Sequence, residues 1–276
     1  MITLVAIPKP FIGHIGTIQR NALESWRFAF PEAQILLLGA EEGVAEAAIA
    51  VDAEHLPALT MSKLGTPLLS DAFARSTTAA RHGIVAFVNA DVILLGGLRE
   101  ALRHLPGEEF LLIGQCREID IGERVCFGAP DVHERLEGLW RGGRRRGPFA
   151  MDYFVFSPGL FRDVPPFAVG RVRYDNWLVW RALDRGAVVI DATRTVSALH
   201  QNHDYRHIDG GMRATRFGEE ARANRTLAGW GRCLHLHSIL DCTHALHRDG
   251  LRSVPGPRLA FLQQLGLRFL LRAAGR

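Results

Sequence analysis

Residues 84–95 read IVAFVNADVILL, an apolar run interrupted once, at Asn89-Ala90-Asp91. A buried strand excludes an unpaired carboxylate, because an ion stripped of water costs several kcal/mol even after relaxation. One reason for the interruption is a cation. An aspartate at the end of a buried strand, one residue from a second oxygen donor, suits a hard divalent ion such as Mg2+ or Mn2+. The structural alternative is a strand ending in an Asx-type turn, with Asp91 capping backbone amides. Three other apolar runs end or begin in groups that could share such a site. They are Pro8-Lys9-Pro10, Asp152 before the run at Tyr153, and His200, Asn202 and His203. Taken singly, each of the twelve histidines is more often a surface or hydrogen-bonded core residue. An imidazole joined to a carboxylate from a distant part of the chain is the combination that could complete an octahedral site.

Two further carboxylates have positions that could do chemistry. Asp175, in RYDNWLVWRAL, opens a helical pattern, where the macrodipole and capping favour a negative charge for purely structural reasons. If that helix start faces a cleft, Asp175 could take a proton from a hydroxyl, with Trp177 offering a flat apolar face to a sugar ring. Asp152, in FAMDYFVFS, leads into a buried strand and could bind hydroxyls or satisfy a turn.

The elements that would position these groups alternate. The run 2–7 reads as a strand, 16–30 as a helix closed by Pro31, 34–38 as a strand, 42–48 as a short helix and 48–51 as a brief strand. A helix over 67–81 has Thr66 as N-cap and Pro67 at its first position. The run at Ile84, a helix over 98–105 and a strand over 110–114 follow. This order predicts an α/β fold with a mixed, mostly parallel sheet flanked by helices, in which ligands sit outside the carboxyl ends of the strands. Beyond residue 115 the spacing predicts strands at 125–127, 153–156 and 188–191 and a helix at 174–185. The glycine- and arginine-rich segment 138–148 reads as a mobile loop that could close over a ligand and exclude water. Residues 219–247 and 258–272 read as helices. The expected division is therefore a domain over 1–215 and a helical C-terminal extension over 216–276, packed on that domain or on a partner.

Composition sets the outer bounds. The chain has 276 residues, 47% hydrophobic and 22% charged, with a net charge of +4, which is ordinary for a globular protein. Arginine does nearly all the cationic work: the lysines are Lys9 and Lys63, while Arg141, Arg144, Arg145 and Arg146 crowd one segment and Arg258, Arg268, Arg272 and Arg276 another. That clustering suits phosphates or acidic lipid more than a general nucleic-acid surface. Cys116, Cys126, Cys233 and Cys242 lack CxxC spacing, so neither a zinc knuckle nor a dithiol motif is supported, and reduced thiols in a cytosolic protein are expected. The start MITLVAIPKPF lacks a signal-peptide pattern, and no window is long and apolar enough to span a bilayer.

VNADV in place of a DxD motif, the DYFVF strand, the YDNWL helix start and the late ALHQNHDY histidine follow, in that order, an alternating first half. Over roughly residues 2–207 this motif order resembles the GT-A fold of nucleotide-diphospho-sugar transferases. The resemblance implies a glycosyltransferase of hexosyltransferase type, moving a sugar from a nucleotide-diphosphate donor to a hydroxyl acceptor in polysaccharide or glycolipid synthesis. It places a Mn2+ or Mg2+ ion on Asp91 and His200, and an acceptor-activating base at Asp175, with Asp152 beside it. The donor nucleotide would lie against Ile7, Pro8 and Lys9 and near Asp71 and Arg75, with its diphosphate at Asn89, Ala90 and Asp91. Asn89 departs from the pattern, where a first Asp would contact metal or ribose. Two alternatives stay open: a binding protein without turnover, which Asn89 favours, and a sugar nucleotidyltransferase, against which the glycine-poor IPKPFIGHIG counts.

The implied partners are the nucleotide sugar and a glycan or lipid-linked acceptor, with no nucleic acid. Residues 258–276 suit either an interfacial helix on anionic lipid at the inner membrane face or, more commonly, packing on this domain or on a second copy. The histidines at 235, 237, 244 and 247 read as structural.

Overall fold

The computed structural model describes residues 1–204, 211–229, 231 and 236–254. Its first half alternates as the spacing predicts. Strand β1 (Thr3–Ala6) leads to α1 (Gly13–Ala29), β2 (Gln34–Leu38), α2 (Val44–Ala50), β3 (Glu54–Leu56), α3 (Leu69–Ala79) and β4 (Val85–Val88). Then come β5 (Val92–Gly96), α4 (Leu98–Ala101), β6 (Phe110–Ile113), β7 (Arg117–Ile119), α5 (Val132–Gly142) and β8 (Arg144–Arg145). The chain continues with β9 (Tyr153–Phe156), α6 (Tyr174–Asp184), β10 (Val188–Asp191) and β11 (Ser197–Gln201). Helices α7 (Gly211–Phe217) and α8 (Glu219–Ala228) and the hairpin β12 (His244–His247) and β13 (Gly250–Ser253) complete the described elements.

Nine strands form one sheet in the order β13-β12-β10-β6-β9-β4-β1-β2-β3. All neighbours are parallel except β9, which is antiparallel to both β4 and β6, and the outer hairpin β12–β13. The central strands are apolar on both faces because both faces are covered. One core places Trp26, Phe30 and Ala22 of the α1 region against Leu4, Ile35 and Val88, and the other sets Phe73, Phe156, Phe161 and Trp177 beneath α3 and α6. A second sheet, β5-β11-β7-β8, lies under α5 around Ile93, Leu199, Val132 and Leu136.

The break in IVAFVNADVILL is therefore a corner. Residues before Asn89 belong to the large sheet and those after Asp91 to the small one, where β5 pairs antiparallel with β11. Trp26, fully buried at the end of α1, donates its indole N–H to the Val92 carbonyl at 2.8 Å and holds the chain as it leaves the corner.

Several sequence expectations are corrected. The brief strand expected at 48–51 lies at Glu54–Leu56, since α2 runs through Ala50. Thr66 does not cap α3; Leu68 precedes the helix, and the Thr66 hydroxyl donates to Glu220 instead. No strand forms at 125–127, where Val125 packs as an apolar loop residue, while the three-residue β7 carries the pairing. The arginine-rich segment 138–148 is not a free loop: it ends α5 and then pairs as β8 along β7. The helix expected over 219–247 stops at Ala228, and residues 244–253 form a hairpin whose first strand joins β10, so the extension is not wholly helical. The tail 258–276, with its arginines and its expected lipid or dimer contact, and the residues Cys233 and His235 lie outside the described residues. Among the described residues no helix is long and apolar enough to cross a membrane.

Candidate functional site

The corner delivers Asp91 into a cavity of about 190 Å³ at the carboxyl ends of β1 and β4. Its backbone is fixed by a residue with no exposed surface: Gln201 donates both its amide N–H and its side-chain Nε2–H to the Asp91 carbonyl, each at 3.1 Å. Gln201 is in turn held by Asn21, whose Nδ2–H donates to its Oε1 at 3.0 Å. Buried polar side chains are kept only where every group is satisfied, so this chain of amides specifies the orientation of the corner.

The Asp91 side chain does not cap neighbouring amides. Its Oδ2 lies 3.1 Å from His203 Nε2, and its Oδ1 faces His200 Nδ1 at 3.4 Å. Neither Oδ1 nor that Nδ1 makes a hydrogen bond, although both are buried. The two atoms face each other as a charged pair too long for a good hydrogen bond, a spacing that also fits a cation bound to both. One ligand atom each from Asp91, His200 and His203 lies within 4.8 Å of the others, so the three can hold one metal ion. Burial opposes ionisation of Asp91, but the His200 charge, the contacts from both imidazoles and the Lys9 charge outweigh it and hold the carboxyl well below its usual range. Burial likewise disfavours the His200 cation, yet the Asp91 charge prevails and raises its pKa.

Lys9 reaches the same place from the end of β1. Gln19 grips its backbone on both sides, accepting from the Lys9 amide at 2.7 Å and donating to its carbonyl at 2.8 Å. The ammonium Nζ sits 3.3 Å from His203 Nε2; burial pushes its pKa down, partly offset by Asp91.

On the opposite wall stands Arg146. The turn after β8 brings it in, with its amide donating to the Cys116 carbonyl at 3.0 Å and its carbonyl accepting from Gln115 at 2.6 Å. The guanidinium Nη1 donates to both carboxylate oxygens of Asp152, at 2.7 and 2.8 Å, and Nε lies 3.5 Å from Glu118. Asn89 donates to the same Asp152 carboxylate at 3.1 Å. Asp152 thus accepts from both Arg146 and Asn89, a pairing that orients the guanidinium toward the cavity.

The structure brings together Ile7, Lys9, Asn89, Ala90, Asp91, Asp152, His200 and His203 of the residues singled out from sequence. It does not place Pro8, Asp71, Arg75 or Asp175 in the cavity lining. Asp71 pairs with Arg75 at 2.9 Å and accepts from the Thr60 amide. Asp175 opens α6 as expected, but Tyr174 is the residue of that turn that lines the cavity, and Asp175 Oδ1 accepts from the next amide at 2.8 Å. Burial, with Asp152 nearby, raises the Asp175 pKa to about 6. Trp177 cannot stack on a sugar, because it is buried against Phe167 and Trp180. Sequence reasoning missed Gln19, Gln201 and Tyr174 and named Arg146 only within the arginine cluster. A glutamine inside ALHQN was the only available signal for the second amide, and Arg146 was masked by its arginine-rich neighbours.

No family model and no curated protein matches the chain. Among solved structures it is similar to glucosyl-3-phosphoglycerate synthase from Mycobacterium tuberculosis in complex with Mg2+ and uridine diphosphate. The two are 20% identical with a TM-score of 0.43, over 74% of this chain and 72% of that one. The same enzyme in complex with uridine diphosphate gives 17% identity and a TM-score of 0.49, over 93% of this chain and 87% of that one. TarS from S. aureus gives 8% identity and a TM-score of 0.49, over 73% of this chain and 36% of that one. In general architecture, a large mostly parallel sheet flanked by helices, the chain is similar to these solved structures.

Proposed function

We propose that this chain is a glycosyltransferase of GT-A type that takes a sugar from a nucleotide-diphosphate donor and passes it to a hydroxyl acceptor. The observation that carries the reading is the corner at Asp91. A buried carboxylate leaves the sheet at its carboxyl end, faces two imidazoles with its Oδ1 unsatisfied, and shares its cavity with Lys9 and Arg146. Two carboxylates against two fixed cations leave no excess negative charge, so a divalent ion added there makes the cavity electropositive and suited to a diphosphate.

In the transfer, the acceptor oxygen bonds to the anomeric carbon as the bond from that carbon to the diphosphate oxygen breaks, and the diphosphate keeps the electron pair. A metal held by Asp91, His200 and His203 supplies Lewis-acid stabilisation of that charge when bound. Lys9 and Arg146 supply fixed positive charge to the same group, preorganised by Gln19 and Asp152 so that little reorientation is needed at the moment of reaction. The resemblance assigns the acceptor proton to Asp175, which adjoins Tyr174 of the cavity lining without lining the cavity itself. With a pKa raised to about 6 it is ionised at neutral pH yet basic enough to accept one. The neighbours' printed ligands, uridine diphosphate with Mg2+, are consistent with this donor class. The acceptor is a glycan or lipid-linked hydroxyl in polysaccharide or glycolipid synthesis.

Calorimetry with uridine and guanosine diphosphates, with and without Mn2+, followed by hydrolysis and transfer assays on nucleotide sugars, tests the reading. Metal-dependent binding with turnover supports it. Binding without turnover on any acceptor favours the non-catalytic alternative that Asn89 suggests, and no nucleotide binding refutes both.

A further inference from the structure

The ribbon β5–β11 that carries the corner at Asp91 leads, at its other end, into a second and larger cavity. Val92 pairs with His200 at the corner and Gly96 with Ser197 at the far end, roughly 13 Å along the strands. There a cavity of about 640 Å³ opens between α4, α5 and the turn of the β12–β13 hairpin.

Its walls are rigid where they carry charge. The turn bearing Arg194 is closed by the Thr195 and Val196 amides, which both donate to the Ala192 carbonyl, at 3.0 and 2.9 Å, and by the Thr193 amide on Asp191 Oδ1 at 2.8 Å. That turn is seated on Gly97, where a Cβ would lie 1.7 Å from the Thr195 carbonyl oxygen. Arg248 stands in the tight turn where His247 pairs with Gly250.

The wall has Arg141, Arg194 and Arg248 against Glu100 and Glu137. Both carboxylates are already paired, Glu100 with Arg103 at 2.7 Å and Glu137 with Arg141 at 2.5 Å. Asp249, beside Arg248, is held by Arg252 at 2.6 Å. Arg194 and Arg248 make no hydrogen bond or ion pair among the described residues. The arginine-rich tail 255–276 has no acidic side chain to neutralise them. Two uncompensated guanidiniums on one cavity select an anion, and their planar forks suit phosphate or carboxylate oxygens.

A bare inorganic anion would leave most of this volume empty, since it lies within the roughly 300–1,000 Å³ of sites that hold whole small molecules. The remaining lining suits a polyhydroxylated ring. Trp140, half-buried and backed by the Arg117 guanidinium at 4.6 Å from its ring centre, supplies aromatic surface. Ser197 and His247, whose side chains make no hydrogen bond among the described residues, supply groups that pair with hydroxyls. We propose that this second cavity binds an anionic saccharide, a sugar ring bearing a phosphate or a carboxylate, independently of any transfer at Asp91.

Calorimetry on the whole protein tests it, with glucose-6-phosphate, glucuronate, glucose and inorganic phosphate as probes. At least one charged sugar should bind about tenfold or more tightly than glucose, through charge-assisted hydrogen bonds, and severalfold more tightly than inorganic phosphate. Whichever charged sugar binds more tightly identifies the anion as phosphate or carboxylate. The double variant Arg194→Gln with Arg248→Gln should weaken that binding about tenfold or more. Its melting temperature should stay that of wild type, because both side chains are exposed and unpaired among the described residues. Trp140→Leu should erase the advantage of the charged sugar over inorganic phosphate. Lys9→Gln should leave binding unchanged, because Lys9 lines the other cavity. No binding of either charged sugar at millimolar concentration overturns the proposal. So does binding that survives the double variant intact, or that is lost in Lys9→Gln, since either result puts the anion elsewhere. A protein that binds the charged sugar here and no nucleoside diphosphate at Asp91 refutes the transferase reading and leaves this site standing.

Discussion

The pair Arg146–Asp152 allows the sharpest energetic prediction. Its two hydrogen bonds, at 2.7 and 2.8 Å, join side chains that are 18% and 6% exposed. Removing one partner of a buried pair strands the other charge and costs about 3–5 kcal/mol, whereas replacing both by apolar groups of similar volume is often near neutral. Arg146→Met leaves the Asp152 carboxylate with the Asn89 amide and the more distant His200, whose Nδ1 is 3.8 Å away. It should therefore sit in that range, while Asp152→Leu should cost somewhat less because Glu118 remains 3.5 Å from the guanidinium. Taking a urea slope of about 3 kcal/mol/M for a chain of this size, the Arg146→Met midpoint should fall by roughly 1–1.7 M. The double variant should be more stable than the sum of the single effects by about 1–3 kcal/mol. Urea denaturation followed by tryptophan fluorescence and circular dichroism measures all four proteins of the cycle. A coupling within about 0.5 kcal/mol of zero would show that the two side chains act independently, and the account of Asp152 as the group that aims Arg146 would fall.

The remaining predictions concern the metal, a titration and a backbone site. Asp91→Ala should abolish Mn2+ binding, because it removes the one carboxylate among the three candidate ligands; an unchanged Mn2+ dissociation constant would place the ion elsewhere. Asp175 has a pKa raised from 3.8 to about 6 in the folded chain. Between those values the folded state holds a proton that the unfolded state has lost, so this group makes stability fall as pH rises from about 4 to 6, with little further change above. Asp175→Asn should flatten that part of the melting-temperature profile, and identical slopes in variant and wild type would contradict the shift. In transfer assays the same variant should lose turnover while keeping donor binding, and full activity would remove Asp175 from the chemistry. Gly97→Ala should cost more than about 3 kcal/mol, since a left-handed backbone meets a steric clash there. Its φ is +81° and a Cβ would lie 1.7 Å from the Thr195 carbonyl oxygen. A melting temperature within a degree or so of wild type would show that the β5–α4 junction can shift.

Much of the architecture was legible in the sequence because each early element has its own period. The runs at 4–6, 35–38, 85–88 and 110–113 are buried on both faces and so are continuously apolar, and α1 and α3 show the spacing of helices that cover them. Local pattern failed where tertiary pairing overrode it. Arg144 and Arg145 are a strand only because β7 offers an edge, and His244–His247 is a strand because β10 and β13 flank it. Neither segment carries an apolar alternation that would mark it in isolation.

At the site, the residue types alone require that position 91 have a partner: a carboxylate set into an apolar run is unfavourable unless something compensates it. The compensating groups come together only on folding. His200 on β11 and His203 just beyond it arrive from 109 and 112 residues away, Lys9 from the end of β1, and Arg146 from a turn held by Cys116 and Gln115. Those distances along the chain carry no local signal, because a hydrogen bond between remote segments is specified by the packing of the sheet and not by the spacing of either segment. The same physics explains Asp152 and Asp175. Both read as polar residues beside apolar elements, and only their three-dimensional surroundings separate them, one anchored by a guanidinium and the other without a salt bridge among the described residues and raised in pKa by burial.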